Sequence, residues 1–469
     1  MGSSNMTRRE ALVRGGAGLL GMTAAGSLLA ACGSSGGSGG KAATVAAVEP
    51  ASGDVTYWYT VTNAKQKAYQ QRYDFDAFSA ANPNITLETS QKPLDTIGRV
   101  TQTALQAGKG PDVVVSDGPA PAAAYARAGS IVALDEYAEK YGWGEKILPW
   151  ALEAGRLDGK LYSLPMSYES MVLFRNETLF AEKGWSAPRT RAEVEAIATD
   201  AMGQGIVPFA AGNAEWKGAT EWFVTAFFNN CAGPEAMQEA LTGERRWTDP
   251  LFEESIVLMA DWFRRGWFGG GVEQFFSNRF DPLYAGMARG RYAMNLEGTW
   301  AFANMSAFFD GEARYDWSPL PSLRDGVPDD MFALGSGGTW SVNAKAQAAG
   351  AAAAYIDWQF NDPRRIAEGV AAAEMQPTPL KLTAADFPAG TDPKVERFYV
   401  EFGASTGRGT FGYSTWTFMP PKSNAYLSEE IEKVLIGSLK PADYLSGLDR
   451  LFRSELARKD VPPIPPQAS

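Results

Sequence analysis

The chain has 469 residues, with 43 Lys and Arg against 54 Asp and Glu, for a formal net charge of −11. A single core seldom grows beyond ~250–300 residues, so two lobes or domains are expected. There is no histidine, which excludes His-dependent triads, His general bases and His-ligated metal sites. The acidic surface argues against nucleic acid and polyanionic ligands as partners. A 45% hydrophobic and 12% aromatic composition, with 14 tryptophans, is globular and rich in flat apolar surfaces.

Thr7-Arg8-Arg9-Glu10-Ala11-Leu12 resembles a twin-arginine export signal, and Gly15 to Ala31 is its apolar run, too short and glycine-rich for a membrane span. The run closes on Leu29-Ala30-Ala31-Cys32, which resembles a bacterial lipobox. On that resemblance residues 1–31 are a signal peptide and Cys32 is lipidated. The plainer alternative is an ordinary signal peptide that happens to contain a cysteine. Removing residues 1–31 takes away Arg8, Arg9, Arg14 and Glu10, a net +2, and leaves a mature charge of −13. With Cys32 lipidated, Cys231 has no partner, so the fold has no internal disulfide. Residues 32–53 hold the lipidated cysteine and a Gly/Ser/Ala-rich tether, spanning ~25 Å root-mean-square for ~20 residues.

The body begins with a strand, Val55 to Tyr59, then an amphipathic helix from about Ala64 to Ala81 stopped by Asn82-Pro83. A strand follows at Ile85–Glu88, and a helix from about Leu94 to Ala107. Gly110-Pro111-Asp112-Val113-Val114-Val115-Ser116-Asp117 is a buried strand with an acidic tip. Strands alternating with helices indicate a parallel sheet, whose ligand crevice lies at the carboxyl ends of the strands. Trp58 and Asp117 lie near two such ends. From Asp158 to Trp185 the rhythm breaks: a polar turn, a strand closed by Pro165, a second strand at Met171–Phe174, then a helix from Glu177 to Gly184. Two strands with no helix between them suit a crossing between two α/β lobes.

Residues 190–310 are mainly helical (Arg191–Met202, Thr220–Asn230, Pro250–Arg265 and Pro282–Arg289), with a loop at Phe209–Trp216. Gly290 to Trp300 is a strand, a glycine turn and a helix start. Leu334–Val342 reads as a glycine-rich return to the first lobe, and a third connecting strand is expected near Met375–Leu380. Helices at Ala346–Phe360, Pro363–Ala372, Pro393–Phe402, Ser423–Ile436 and Pro441–Arg458 precede an extended Pro-rich tail, 461–469. No repeat of 20–50 residues is visible.

Gly159-Lys160, Tyr162, Leu164-Pro165, Arg175-Asn176, Leu179-Phe180 and Gly184-Trp185 together resemble the lobe crossing of the extracellular solute-binding proteins of family 1. These are the maltose-binding-protein-like carbohydrate receptors of ATP-binding-cassette importers. The Gly110–Val115 phrase, the Ala124–Leu134 segment and Gly290–Trp300 extend the resemblance over most of the chain. It implies an α/β, two-lobe periplasmic-binding-protein-like fold of type II, each lobe a mainly parallel sheet flanked by helices, with the ligand cleft between them. Lobe 1 would hold 54–164 and 337–375, and lobe 2 would hold 165–336 and 376–460. It further implies a monomeric lipoprotein on the outer face of the cell membrane. Its partners would be a mono- or oligosaccharide and importer permease subunits, and it would have no cofactor.

A neutral sugar offers hydroxyls that need paired donors and acceptors, and C–H faces that stack on aromatic rings. Trp300 is the leading candidate, because in the family the tryptophan of this phrase lies over a sugar face. Glu169 lies four residues after Pro165, where the maltose receptor has a sugar-binding glutamate, and Tyr168 is beside it. Asp117 is a crevice acid or a helix cap, and Trp58 a stacking ring or core. Gly337 and Gly338 would offer bare N–H groups or serve only as a hinge. Trp216, Trp340, Trp416 and Arg408 complete the set.

Two alternatives remain. Asp117, Glu169 and Glu297 could be cast as glycosidase carboxylates, but nothing marks one as the acid. No phosphate loop, metal cluster or Gly-x-Gly-x-x-Gly site accompanies them. A receptor for a cationic solute such as a polyamine, or for a peptide, is the other.

Overall fold

A computed structural model describes residues 51–61, 63–93 and 96–467. The export signal, Cys32 and nearly all of the tether lie outside the described residues.

Two sheets organise the body. The first has the order Ile85–Gln91, Gly53–Tyr59, Val113–Ser116, Thr339–Val342, Leu164–Pro165. Its first three strands are parallel, and Thr339–Val342 runs antiparallel to both of its neighbours. Val113–Ser116 is buried throughout, as an unbroken apolar run in a sheet covered on both faces must be. The second sheet has the order Tyr315–Ser318, Met171–Asn176, Tyr292–Gly298, Val207–Phe209. Here only Val207–Phe209 and Tyr292–Gly298 are parallel. This departs from a mainly parallel second lobe, because Met171–Asn176 enters the sheet straight from the crossing without the helix that a parallel connection needs.

The chain crosses between the sheets at 166–170 and 335–338, which touch through an antiparallel bridge of Glu169 and Gly335. The third crossing, 374–380, is not the strand expected there. It carries Pro377 and Pro379, which lack ladder donors. It bonds through carbonyls instead: Pro377 accepts from Tyr168 N at 3.1 Å and Pro379 from Leu148 N at 2.8 Å.

Helix limits follow local chemistry. Thr190 and Glu193 form a capping box for Arg191–Gly203, and Gly184 ends Glu177–Lys183 in the left-handed region at φ 70°. The expected 64–81 helix is interrupted by a π segment, Gln70–Asp76. Helices at Pro234–Thr242 and Val272–Ser277 are additional to the sequence reading. The helices Pro393–Gly407 and Pro441–Ala457 pack on the body of the second sheet, with the Phe398 ring 5.6 Å from Trp317 and the Phe452 ring 5.5 Å from Trp247. The Pro-rich tail lies against this body, since Tyr413 Oη donates to the Pro465 carbonyl at 2.6 Å.

Asp449, on the helix Pro441–Ala457, is buried and fastens that helix. Its carboxylate accepts from Arg246 Nε and Nη2 at 3.0 and 2.5 Å and from the Trp247 backbone N–H at 3.1 Å. Asp449→Ala would strand a buried N–H, so urea unfolding should show a loss of ~1–3 kcal/mol. An unchanged midpoint would refute this fastening role.

Candidate functional site

A cavity of about 570 Å³ opens where the crossings meet the second sheet. Four of its walls are tryptophans: Trp216, Trp222, Trp300 and Trp416. Trp222 stands at the centre, its ring 5.4 Å from Trp216, 5.1 Å from Trp300 and 6.0 Å from Phe280. Trp416 meets Trp300 edge-on at 6.0 Å.

Glycines shape this wall. Trp300 follows the strand Tyr292–Gly298 and folds back over Gly298, where a Cβ would overlap its six-membered ring. Trp216 likewise lies over Gly218, whose Cβ would come within 2.6 Å of its ring. Each indole is thus seated directly on backbone.

Four carboxylates share the cavity, Asp117, Glu169, Glu221 and Glu297, and no Lys or Arg is among the lining residues. Glu297 accepts from Tyr284 Oη and Asn295 Nδ2, both at 2.7 Å. Glu221 accepts from Thr415 Oγ1 at 2.6 Å and Ser428 Oγ at 3.4 Å. Glu169 accepts from Trp416 Nε1 at 2.9 Å. Burial pushes Glu221 and Glu297 each up to about 7, with these hydrogen bonds opposing it, and it raises Glu169 in the same way. Asp117, at the tip of Val113–Ser116, faces the cavity from the first lobe.

Asp117, Glu169, Trp216, Trp300, Gly337 and Trp416 therefore converge, and the other candidates do not join them. Tyr168 is fully buried against Tyr399 and Phe402 (ring centroids 5.3 and 4.9 Å). Trp58 points to the other face of its strand from Tyr57 and is capped by Lys92, 4.6 Å from its ring. Gly338 packs at the crossing, its carbonyl accepting from Met166 N at 2.9 Å. Trp340 lines an adjoining cavity and donates to Tyr57 Oη at 3.1 Å. Arg408 ends the helix Pro393–Gly407 and reaches exposed Asp330 at 3.3 Å. The sequence reading missed Glu221, Trp222, Phe280, Tyr284 and Gln376 and left Glu297 out of the binding set. The one available signal was an acid beside a tryptophan in the otherwise neutral helix Ala219–Phe227.

Among the described residues no group of three His, Cys, Asp or Glu could hold a metal ion. No described helix is long and apolar enough to cross a membrane.

A sequence profile described as bacterial extracellular solute-binding protein matches residues 60–363. A probable sugar-binding periplasmic protein of Mesorhizobium japonicum is 30% identical over 118 residues, 25% of this chain and 28% of its own. One from Brucella suis is 28% identical over 182 residues, 38% of this chain and 41% of its own. The chain thus matches less than half the length of these curated relatives. Among solved structures, a chitin oligosaccharide binding protein superposes with a TM-score of 0.72 at 21% identity, covering 87% of this chain and 100% of that one. This last likeness establishes the two-lobed type II fold.

The raised carboxyls make stability depend on pH. Between the ordinary value of 4.5 and about 7, folded Glu221 and Glu297 hold protons that the unfolded chain has lost. Their contribution therefore falls as pH rises through that window and is level above it. Urea titrations from pH 5 to 8 should show this decline, and Glu297→Gln should flatten it. An equal slope in wild type and variant would refute the assignment.

Proposed function

We propose that this chain, which belongs to the bacterial extracellular solute-binding proteins, captures a sugar between its lobes and delivers it to the permease subunits of an ATP-binding-cassette importer. The observation that carries the sugar reading is the tryptophan-walled cavity holding four carboxylates. Aromatic faces accept C–H-rich ring faces, and carboxylate oxygens accept hydroxyl hydrogens. The sugar-binding relatives from Mesorhizobium and Brucella support the same class.

Binding, not hydrolysis, suits the site. Glu221 and Glu297 are each held on both oxygens by neutral side-chain donors, an arrangement that fixes them as acceptors rather than presenting them to water. Lobe 1 is read as 54–164 with 337–375 and lobe 2 as 165–336 with 376–460, closing by bends at the crossings. Export under residues 1–31, anchorage by a lipid on Cys32 and a monomeric state belong to the same reading.

A cationic solute is the second reading, favoured by the clustering of four acids and four tryptophans without a basic residue. Affinity against pH separates the two. A cation should bind more tightly as Glu221 and Glu297 ionise through about 7, whereas a neutral sugar should lack that rise.

Calorimetry after a thermal-shift screen of mono- and oligosaccharides tests the proposal directly. A ligand at 100 times its dissociation constant should stabilise the fold by about 2.7 kcal/mol. Trp300→Ala should weaken binding by ~1–3 kcal/mol, the range for losing an aromatic stack on nucleic-acid bases, and leave the fold intact. Small-angle scattering should show compaction with ligand. Failure of every saccharide to bind would remove the sugar reading, and unchanged affinity in a folded Trp300→Ala would remove its central residue.

The anchor has its own test. Cys32→Ala should release the protein from membranes, and its persistence in the membrane fraction after a salt wash would refute lipidation there.

A further inference from the structure

A second cavity of about 500 Å³ adjoins the first, and Trp300, Asn304 and Gln376 line both. Most of its remaining wall comes from the first lobe and the crossings, including Tyr57 of the first strand, Asn63, Gln70 and Asp74 of the following helical segment, and Gln359. Each cavity alone falls within the ~300–1,000 Å³ that encloses a drug-sized ligand. Together they exceed what one sugar ring fills.

This chamber is built for a polar guest. Gln359 is 5% exposed, yet its Nε2 has no hydrogen-bond partner among the described residues, and the same holds for the buried Oε1 of Gln70. Native interiors rarely leave such atoms unpaired, and here one is a donor and the other an acceptor in the same chamber wall. Tyr57 Oη already accepts from Trp340 Nε1 at 3.1 Å, which leaves its own hydrogen to donate. Gln70 and Asp74 are both set by the π segment Gln70–Asp76, a distortion frequent at functional sites. The chamber's charges are spent internally. Asp74 pairs with Arg365 at 2.8 Å, both side chains 7% exposed, and Glu374 pairs with Lys65 at 2.6 Å. What remains is neutral and capable of both donating and accepting, which matches ring hydroxyls and offers nothing to an ionic group.

We infer that the ligand is a neutral oligosaccharide with rings on both sides of Trp300, one of them seated in the first-lobe chamber by Tyr57, Gln70 and Gln359. This rests on the sugar reading above and adds to it the ligand's length and neutrality.

The test is calorimetry of the full chain with glucose, xylose and mannose and with their linear oligomers up to the tetramer. In the series that binds, affinity should rise about tenfold or more from monosaccharide to di- or trisaccharide, about one charge-neutral hydrogen-bonded contact. Gln359→Ala and Gln70→Ala should each cancel most of that gain and leave monosaccharide affinity unchanged. Thermal melts would show which variant is folded; Gln70, only half buried, is the safer of the two. A monosaccharide bound as tightly as its oligomers would overturn the chamber and leave the sugar reading standing. So would oligomer affinity unaltered in folded variants. Failure of every saccharide to bind would overturn both.

Discussion

A buried carboxylate without a cation is costly, and Glu221 and Glu297 are two such groups lining one cavity of the second lobe. Neutral donors must therefore be brought to them from elsewhere in the chain. Glu297 draws Tyr284 Oη from the helix Phe280–Ala288 onto the strand Tyr292–Gly298. Glu221 draws Thr415 and Ser428 from 194 and 207 residues away. The requirement to satisfy these oxygens thus ties a helix, a strand and the C-terminal segments to one point. Burial still outweighs these hydrogen bonds and raises both carboxyls to about 7, which softens the negative charge that four acids would otherwise present.

The tryptophans around these acids are not a stack. Trp222 meets Trp300 at 48° and Trp216 at 55°, while Trp416 stands at 73° to Trp300. Rings tilted against one another form a curved wall, which suits a puckered molecule with C–H faces better than a planar one. Because the cavity is walled by indole, hydrogen bonds to its carboxylates act in a low dielectric and gain in strength.

Much of this was legible in the sequence where chemistry is local. The buried strand Val113–Ser116, the capped helix Arg191–Gly203 and the strand leading to Trp300 all follow from apolar runs, caps and glycines. Positions decided by strand parity or by distant packing were not legible. Trp58 and Tyr57 are neighbours of similar chemistry, and a one-residue choice on a strand selects opposite faces; Tyr57 is the one facing a cavity. Tyr168 beside Glu169 looked equally suited, but the helix Pro393–Gly407 covers it with Tyr399 and Phe402, a contact spanning more than two hundred residues. Glu221 and Trp222 were hidden for the opposite reason. A helix buried along its whole length, as Ala219–Phe227 is, reads as core.

The crossings are part of the site as well as its supports. Glu169 donates its backbone N–H to the Gly335 carbonyl at 3.0 Å while its side chain accepts from Trp416 at 2.9 Å. A Cβ on Gly335 would fall 3.0 Å from the Glu169 carbonyl, so the two crossings pack backbone against backbone. On the proposed reading, a ligand held by Trp416 and Glu169 would bear on the segments that must bend if the lobes move. From the first lobe Asp117 and Gly337 line the tryptophan cavity, whereas the adjoining chamber draws most of its wall from that lobe. A ligand can favour closure only by touching the closed form more than the open one. A solute confined to the tryptophan cavity would have little beyond Asp117 and Gly337 with which to do so; on the proposed reading, one that reached the chamber would engage both lobes at once, and length in the ligand would be the means of closing the protein.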